Sequence, residues 1–434
     1  MLNITISEYG YIGCDNVSTQ GNKFIGVRDL TPDIFKELYD YWLEDKQTQK
    51  VFTFENKQCL KATSYVGIIQ TKNLSIEILP KIYKKDMEDK YRHIFIEMLK
   101  PLLNINEIQV NKADLSIIKN KNIYEIFISM FIEYLNKLIH KGLKSQYISK
   151  EDNQYFLKGK LKFNDHIKQN YIHKERFYVE FDEYLQDTTE NRLLKSTIQL
   201  LIKKTTNYDN KKALRQQLFI FDNVSLSTNY DADISKINIY RGMEYYKNPL
   251  EFAKVFLKHN SFSSLRGNNN VFAILFPMEK VFENYIEFVL NNSKVILQID
   301  NILINGGKNE YLISNDDCQM ARLQPDYLLK MQNKQQDIIT DAKWKLLETK
   351  EIDNKDCSTI NISSGDIYQV FSYLHYYKAN NTAYIFVPNN QVIKPTTLTY
   401  NRSENKKLKI IPIDLEELIE NNHKFTIDFM SSDI

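Results

Sequence analysis

The sequence predicts a multidomain protein of mixed α and β structure, and three observations carry this prediction. The first 110 residues hold apolar runs separated by polar turns, such as "TSYVGIIQTKNLSIEILPKI", which are typical of strands. Residues 111–264 show mainly helical periodicity. From residue 265 onward helix and strand patterns alternate, which indicates an α/β domain with a mixed central sheet. We therefore predict domains at 1–110, 111–264 and 265–434.

The first two domains follow from local signals. The opening "MLNITISEYGYIG" is predicted as a strand, and "TPDIFKELYDYWLED" as a helix with Thr31 as its N-cap and Pro32 at its first position. "DKYRHIFIEMLKPLL" is predicted as a helix closed by Pro101. "IYEIFISMFIEYLNKLIHKGL", "TTENRLLKSTIQLLIKKTT", "NKKALRQQLFIF" and "NPLEFAKVFLKH" then predict the helices of the middle domain.

Composition excludes several classes of protein. Lys and Arg number 57 against 55 Asp and Glu in 434 residues, so net charge indicates no partner. Four cysteines lie far apart without CxxC spacing, which argues against a zinc ribbon and a disulfide framework. No signal peptide and no run of membrane-spanning length is recognisable, so we expect a soluble cytoplasmic protein.

A basic stretch interrupts the middle domain. Between Lys141 and Arg176 nine basic residues stand against four acidic ones, interleaved with aromatic residues. This pattern could suit a nucleic-acid strand, with Lys158 and Lys160 as DNA contacts. A solvated β-rich surface is the favoured alternative, and a docking surface for a protein partner is another.

The C-terminal domain is predicted element by element. "PMEKVFENYIEFVL" is an amphipathic helix, and "KVILQI" and "EYLIS" are strands. "RLQPDYLLKMQNKQQDIITDAKWK" holds two strands joined by a polar turn. "SSGDIYQVFSYLHYYKA" is a helix capped by Ser364 or Asp366, and "TAYIFVP" is a buried strand that returns parallel to the sheet.

Two carboxylates in this strand pair occupy places where apolar residues are expected. Asp326 and Asp341 could together hold Mg²⁺, with Mn²⁺ as a substitute, because Mg²⁺ prefers hard oxygen ligands and takes few carboxylates from the protein. Lys343 would point to the same face as Asp341 and could stabilise charge on a phosphate during phosphodiester cleavage. The alternative is a surface hairpin with a salt bridge between Asp341 and a lysine.

The helix that follows could add to this site. Gln369 and Tyr373 lie one turn apart, so a glutamine could orient water or phosphate and a tyrosine could contact the DNA backbone. Both could equally be solvent-facing polar residues. Lys345 is a further candidate for DNA contact, whereas His375 is interpreted as a surface histidine.

These residues carry a resemblance to known nucleases. Pro325-Asp326, Asp341-Ala342-Lys343 and Gln369-x-x-x-Tyr373 resemble the PD-(D/E)xK nuclease superfamily. With "MEKVFENYI", "LKGKL" and "DTTENRLLK", the chain is similar to the McrC subunit family of McrBC modification-dependent restriction systems.

The resemblance implies a restriction-endonuclease-like C-terminal domain and a Mg²⁺-dependent endonuclease acting on double-stranded DNA that contains modified cytosine. It implies that Asp326 and Asp341 are metal ligands and that Lys343 is the catalytic lysine. Glu283 matches the position of an assisting acid, for which Glu279 competes. It further implies that the N-terminal domain docks on a separate AAA+ GTPase and stimulates it.

Two alternatives to this function remain at the level of the sequence. The chain could be a non-catalytic adaptor that activates an AAA+ motor, or a stand-alone DNA repair nuclease. The chain has no GxxxxGK[ST] sequence, so it is not expected to bind GTP by a P-loop.

Overall fold

The structure is a computed structural model that describes most of the chain. The described residues are 2–14, 28–44, 48–56, 58–82, 87–103, 121–261, 272–306, 310–314, 319–332, 336–346, 350–352, 355–359, 362–377, 381–389, 395–401 and 405–426. Within these ranges no helix is long and apolar enough to cross a membrane.

Several helices begin at a side chain that caps the free backbone N–H groups of the first turn. Asn122, Thr188 and Ser363 each accept a hydrogen bond from the backbone N–H three residues ahead. The helices are α1 (Pro32–Glu44), α2 (Thr48–Val51), α3 (Glu88–Leu102), α4 (Ile123–Lys141), α5 (Phe163–Gln169), α6 (Thr189–Lys204), α7 (Tyr208–Ile220), α8 (Tyr230–Ser235), α9 (Lys247–Ser261), α10 (Met278–Asn292), α11 (Ser364–Tyr376) and α12 (Leu415–Glu420).

The strands are short and rich in β-branched and aromatic residues. They are β1 (Leu2–Ser7), β2 (Tyr11–Cys14), β3 (Arg28–Leu30), β4 (Phe52–Asn56), β5 (Cys59–Ala62), β6 (Tyr65–Gln70), β7 (Leu74–Leu79), β8 (Gln146–Gln154), β9 (Lys160–Leu161), β10 (Phe177–Leu185), β11 (Phe272–Pro277), β12 (Ile299–Ile304), β13 (Glu310–Ser314), β14 (Gln319–Leu323), β15 (Tyr327–Met331), β16 (Ile338–Ala342), β17 (Lys350–Ile352), β18 (Lys355–Thr359), β19 (Thr382–Pro388), β20 (Thr396–Thr399) and β21 (Lys407–Ile413).

The chain forms two compact units, which differ from the three predicted domains. One unit combines Met1–Asn120 with Leu275–Ile434, and the other is Lys121–Ile274. The predicted boundaries after 110 and 264 fall near these limits, but the first and last segments are one unit. The reason lies in pairing between segments distant in sequence: β11 joins β1, β7 and β6 in one sheet, and α10 packs on α3.

A six-stranded mixed sheet dominates the C-terminal part of the first unit. Its strand order is β12-β15-β16-β19-β21-β20. Strands β15 and β16 pair antiparallel, and β16, β19 and β21 run parallel. Helix α11 makes the crossover from β16 to β19 and buries Val370 and Leu374 against Ile339, Ile385 and Ile410.

The structure confirms most of the predicted elements here and corrects three details. "KVILQI" is not a strand before Ile299, because its backbone bonds locally, with Leu297 N–H donating to the Ser293 carbonyl over 2.9 Å. The cap of α11 is Ser363, one residue before Ser364 and three before Asp366, the two predicted candidates. The opening segment forms two strands, because a turn at Tyr9, whose φ is 61°, separates β1 from β2.

The second unit combines helices α4 to α9 with a small sheet of order β8-β10-β9. Its helical core includes edge-to-face contacts of Tyr124 and Phe131 with Phe256. Burial of these rings follows from the nearly continuous apolar face of α4, which the sequence periodicity predicts.

Candidate metal centre

Two adjacent strands bring Asp326 and Asp341 into one pocket. Asp326 directly precedes β15, and its Oδ2 accepts a hydrogen bond of 2.8 Å from the backbone N–H of Ala342 at the end of β16. Asp341 occupies the central strand and pairs in register with Ile385 of β19. The strand pairing therefore fixes both carboxylates, as the sequence analysis expected for these two residues.

Asp341 is an unusual carboxylate because it is buried and its close partner among the described residues is one lysine. It is 1% exposed, and among the described residues neither of its side-chain oxygens accepts a hydrogen bond of good geometry. Its partner is Lys343, whose Nζ lies 2.6 Å from Oδ2 as an ion pair. A buried charge in this state is costly unless another group compensates it.

The two carboxylates influence one another electrostatically. Burial, together with the nearby charge of Asp341, raises the pKa of Asp326 to about 8. Burial opposes the charge on Lys343, yet Asp341 and Asp326 raise its pKa above the usual value for lysine. The site thus holds one close ion pair, Asp341 with Lys343, beside a carboxyl group whose ionisation is disfavoured.

Glu283, the predicted assisting acid, lies on α10 at the edge of this pocket. Its carboxylate accepts a 2.5 Å hydrogen bond from Lys280 Nζ, and its charge contributes to the raised pKa of Asp326. The Tyr327 hydroxyl donates to the Glu283 backbone carbonyl over 2.5 Å, which ties the helix to β15. Glu283 is therefore near the site, paired with a lysine.

Gln369 and Tyr373 reach the pocket from α11, but Tyr373 is not a surface residue. Gln369 Nε2 donates to the Tyr373 hydroxyl over 2.7 Å, and that hydroxyl donates to the backbone carbonyl of Gln324 over 2.9 Å. Tyr373 is 2% exposed, and burial followed by the charge of Asp341 raises its pKa to about 12. The prediction that Tyr373 contacts the DNA backbone is corrected, because its hydroxyl is used inside the protein.

The three lysines predicted to contact DNA lie in different settings. Lys345 pairs with Asp366 and donates to Ser363 Oγ over 3.2 Å at the start of α11. Lys158 lies 4.1 Å from the centre of the Phe181 ring, and Lys160 lies on β9. Lys158 and Lys160 belong to the second unit, whereas Lys345 belongs to the first unit together with the carboxylate pair. A DNA contact of any of the three stays a prediction.

The donor set fits Mg²⁺ in chemical type. Buried Asp341 and half-buried Asp326 supply hard oxygens, and Asp341 Oδ2 has Lys343 Nζ as its close neighbour. Within the described part of the chain, no group of three or more His, Cys, Asp or Glu side chains is arranged to hold a metal. The protein would thus contribute Asp326 and Asp341, and water or phosphate would complete the shell, as is usual for Mg²⁺.

Comparison with known proteins places the chain in a family. Residues 60–387 match the family described as "McrBC 5-methylcytosine restriction system component". The chain belongs to this family. It is 23% identical over 293 residues to the "Type IV methyl-directed restriction enzyme EcoKMcrBC" of Escherichia coli (strain K12), covering 63% of this chain and 78% of that protein.

Two solved structures share the fold. One is described as a refined half-complex from a tetradecameric assembly of Thermococcus gammatolerans McrB AAA+ hexamers with bound McrC; it matches with a TM-score of 0.68 and 22% identity over 95% of this chain and 94% of that chain. The other is the Thermococcus gammatolerans McrBC complex, with a TM-score of 0.50 and 22% identity over 67% of this chain and 87% of that chain. At this identity the similarity concerns the fold.

These comparisons correct the predicted subunit. The family description gives a restriction-system component without naming McrC, and the solved assembly that covers most of this chain is described first by its McrB AAA+ hexamers. The assignment to McrC is therefore withdrawn, and the family assignment takes its place.

The predicted fold class and enzyme class are corrected on the same findings. The whole-chain match is to a chain of an AAA+ hexamer assembly, and neither solved assembly is described as an endonuclease. We accordingly withdraw the PD-(D/E)xK description of the C-terminal sheet and the assignment as a Mg²⁺-dependent DNA endonuclease. The adaptor and the stand-alone repair nuclease are withdrawn as well, because the family is one of restriction-system components.

Sequence reasoning missed several residues that shape this pocket. The sequence pattern assigns no role to Trp344, Tyr327 or Lys81. Trp344 is buried, and its indole bonds to Glu8 near the start of the chain. A buried tryptophan beside two lysines at a strand end was the available signal, because an indole N–H in a core requires an acceptor.

Proposed function

We propose that this chain contributes a divalent-metal site to a 5-methylcytosine-directed restriction assembly. Asp326 and Asp341 would hold Mg²⁺, and Lys343 would remain beside them as the nearest cation. The proposal combines family membership with the geometry of the carboxylate pair. The bound metal would supply a Lewis acid that polarises an oxygen of a phosphate group.

The observation that carries this proposal is the state of Asp341. Asp341 is 1% exposed, and its close partner among the described residues is the ammonium group of Lys343, which leaves a carboxylate oxygen for a further cation. The raised pKa of neighbouring Asp326 shows that keeping both acids ionised costs free energy. A divalent cation offsets both effects at once, which supports a metal as the missing partner.

The residues around the pair suit a phosphate ligand. Lys343 is partly exposed next to Asp341, and Lys345 follows it on the same segment. In such a site an ammonium group stabilises negative charge on phosphate oxygens. The phosphate would come either from the DNA backbone or from GTP, which the family resemblance implies for the assembly. Since the chain lacks a P-loop sequence, GTP would have to reach this pocket by a different arrangement.

We further propose that the chain functions together with another subunit of the same restriction system. The matched solved structures are assemblies of two different proteins, and the similarity extends over most of this chain. Experiments on this chain therefore compare the isolated chain with the reconstituted assembly.

Metal binding can be measured directly on the isolated chain. We expect Mn²⁺, titrated by calorimetry, to bind the wild type at one site, and Asp341→Asn or Asp326→Asn to weaken the affinity at least about tenfold, because each removes an anionic ligand. Asp300→Asn is the matched control, since Asp300 is an exposed acid on β12 of the same sheet. Equal Mn²⁺ affinity in wild type and Asp341→Asn would refute the metal site.

The source of the phosphate is tested by coupling. A phosphate ligand that contacts the bound metal must raise Mn²⁺ affinity, and Mn²⁺ must raise the affinity for that ligand by the same factor. The titration is repeated with a duplex containing 5-methylcytosine and with GTP, on the chain alone and in the assembly. Tightening by the duplex assigns the site to DNA, tightening by GTP assigns it to nucleotide, and no tightening by either refutes the phosphate contact.

A further inference from the structure

A second buried carboxylate lies behind the metal centre. Glu8, in the turn after β1, is 3% exposed, and its oxygens accept hydrogen bonds of 2.9 and 3.2 Å from the Trp344 indole N–H. Glu8 Oε2 also accepts a 2.7 Å bond from the backbone N–H of Lys81. This carboxylate accepts hydrogen bonds from an indole and from a backbone N–H. Its indole partner, Trp344, lies two residues after the end of β16.

Lys81 holds the same tryptophan from a second direction. Its Nζ donates to the Trp344 backbone carbonyl over 2.5 Å and lies 5.4 Å from the centre of the indole ring. The opposite contact of the ring is Phe282 of α10, at 5.3 Å between centroids. Trp344 is thus contacted through its side chain and its backbone by Glu8 after β1, Lys81 after β7 and Phe282 on α10.

The segment that Trp344 anchors carries the groups of the metal centre. Strand β16 ends at Ala342, whose N–H orients Asp326, and the next residue, Lys343, forms the ion pair with Asp341. Beyond Ala342 the described backbone bonds are those of Lys343 N–H to the Phe386 carbonyl and of Lys345 N–H to the Lys343 carbonyl. The anchoring of Trp344 therefore acts on these few residues together with the Lys343 bond to Phe386 and the pairing of Lys345 with Asp366.

Charged groups surround this anchor from each side. Burial, the largest influence, raises the pKa of Glu8 to about 7, and the charge of Glu279 on α10 adds to the effect. Lys81 opposes it, while Lys345 in turn disfavours the charge on Lys81, and Tyr9 faces the same carboxylate. Glu8 is consequently sensitive to pH near neutrality, unlike an exposed glutamate.

We propose that Glu8 is a positioning residue for the metal centre: by holding Trp344 it fixes the backbone from Ala342 to Lys345 and thereby the arrangement of Asp326 and Lys343. This inference rests on the proposed metal site and adds a residue from the opposite end of the sequence. Glu8 contacts neither carboxylate of the pair, so its influence passes through Trp344 alone.

A double-mutant cycle on Mn²⁺ affinity tests the route. We expect Glu8→Ala and Trp344→Phe each to weaken Mn²⁺ binding about threefold to tenfold, the lower end of the effect of removing groups that orient metal ligands. Because both act on one segment, the double variant should be no weaker than the weaker single variant. Glu8→Gln retains an acceptor for the indole and should bind within about twofold of wild type. Glu55→Gln, an exposed acid on β4, is the control.

Fluorescence supplies a readout that needs no metal. In a Trp42→Phe background Trp344 is the remaining tryptophan of the chain. Its emission should titrate with a midpoint near pH 7 when Glu8 is present and should not titrate in Glu8→Gln. Loss of Mn²⁺ binding in Asp341→Asn with normal affinity in Glu8→Ala would overturn this inference and leave the proposed function intact. Unchanged affinity in Asp341→Asn would instead refute the proposed function, and the Trp344 titration would still test the anchor.

Discussion

Two carboxylates in this protein are almost completely buried but differ in the donors that surround them. Glu125, in the first turn of α4, is 3% exposed, and Asp341, on β16, is 1% exposed. Glu125 accepts hydrogen bonds from several donors, whereas Asp341 accepts none from the described residues and has one lysine beside it. Burial alone therefore does not distinguish an acid that the fold surrounds with donors from one that it pairs with a lysine.

The donors of Glu125 explain why it is present. Thr205 Oγ1 donates over 2.7 Å, the Thr206 backbone N–H over 2.8 Å, and Asn210 Nδ2 over 2.8 Å. These donors lie in the connection between α6 and α7 and in the first turn of α7. Glu125 thus closes a helix connection by satisfying its free N–H and O–H groups, which is a structural role.

The contrast identifies Asp341 as a group that the fold pairs with a lysine but does not surround with several hydrogen-bond donors. Native proteins satisfy buried polar groups almost completely, so an unsatisfied carboxylate persists where a ligand uses it. In the absence of ligand, such a carboxylate lowers the free energy of unfolding. The comparison therefore predicts opposite signs of stability change when the two acids are neutralised.

The largest effect is expected at the satisfied acid. Glu125→Leu should lower the free energy of unfolding by about 4 kcal/mol, because it leaves several buried donors without an acceptor, at about 1–3 kcal/mol each. Urea unfolding followed by circular dichroism measures it. Glu133→Gln, on the exposed side of the same helix, should change stability by less than about 0.5 kcal/mol. A Glu125→Leu protein as stable as wild type would show that its hydrogen bonds contribute little.

Glu8 is a third buried acid, and its contribution to the free energy of unfolding should depend on pH. Its pKa is raised from 4.5 to about 7 in the folded protein, so its contribution to stability is fully present below about pH 4.5 and is lost as the pH rises through 7. Between pH 5 and 8 the loss amounts to about 2–3 kcal/mol. Glu8→Gln should lack this part of the pH dependence, and parallel curves for the two proteins would contradict the assignment to Glu8.

The sequence could predict that these charged residues lie together because the signal is local. Asp326, Asp341 and Lys343 stand out as charged residues at apolar positions of two neighbouring strands, and the pairing of β15 with β16 then brings them together. The burial of Tyr373 could not be predicted in the same way, since periodicity on α11 places it beside polar Gln369 and does not reveal its acceptor, the Gln324 carbonyl.

The union of the first and last segments was equally beyond local reasoning. Glu8 and Trp344 are 336 residues apart, and nothing in either neighbourhood indicates the other. The same applies to β11, which the sequence analysis does not assign as a strand and which joins the N-terminal sheet. Contacts of this kind depend on the pairing of whole elements, which hydrophobic patterning does not specify.

The smallest expected effect is the most informative about the comparison, because its sign is unusual. Asp341→Asn should raise the free energy of unfolding by about 1 kcal/mol in metal-free buffer, since it removes an ionised group from a site without hydrogen bonds. Lys343 is partly exposed, so it is not left as an isolated buried cation.

The order of stabilities should reverse when metal is added. A cation at ten times its dissociation constant stabilises the wild type by about 1.4 kcal/mol and does not stabilise a variant that cannot bind it. Unfolding curves of wild type and Asp341→Asn, each measured in EDTA and in excess Mg²⁺, therefore test this reversal. If Asp341→Asn were destabilising in EDTA, the ion pair with Lys343 would be a net stabilising contact, and Asp341 would belong with Glu125 among the structural acids.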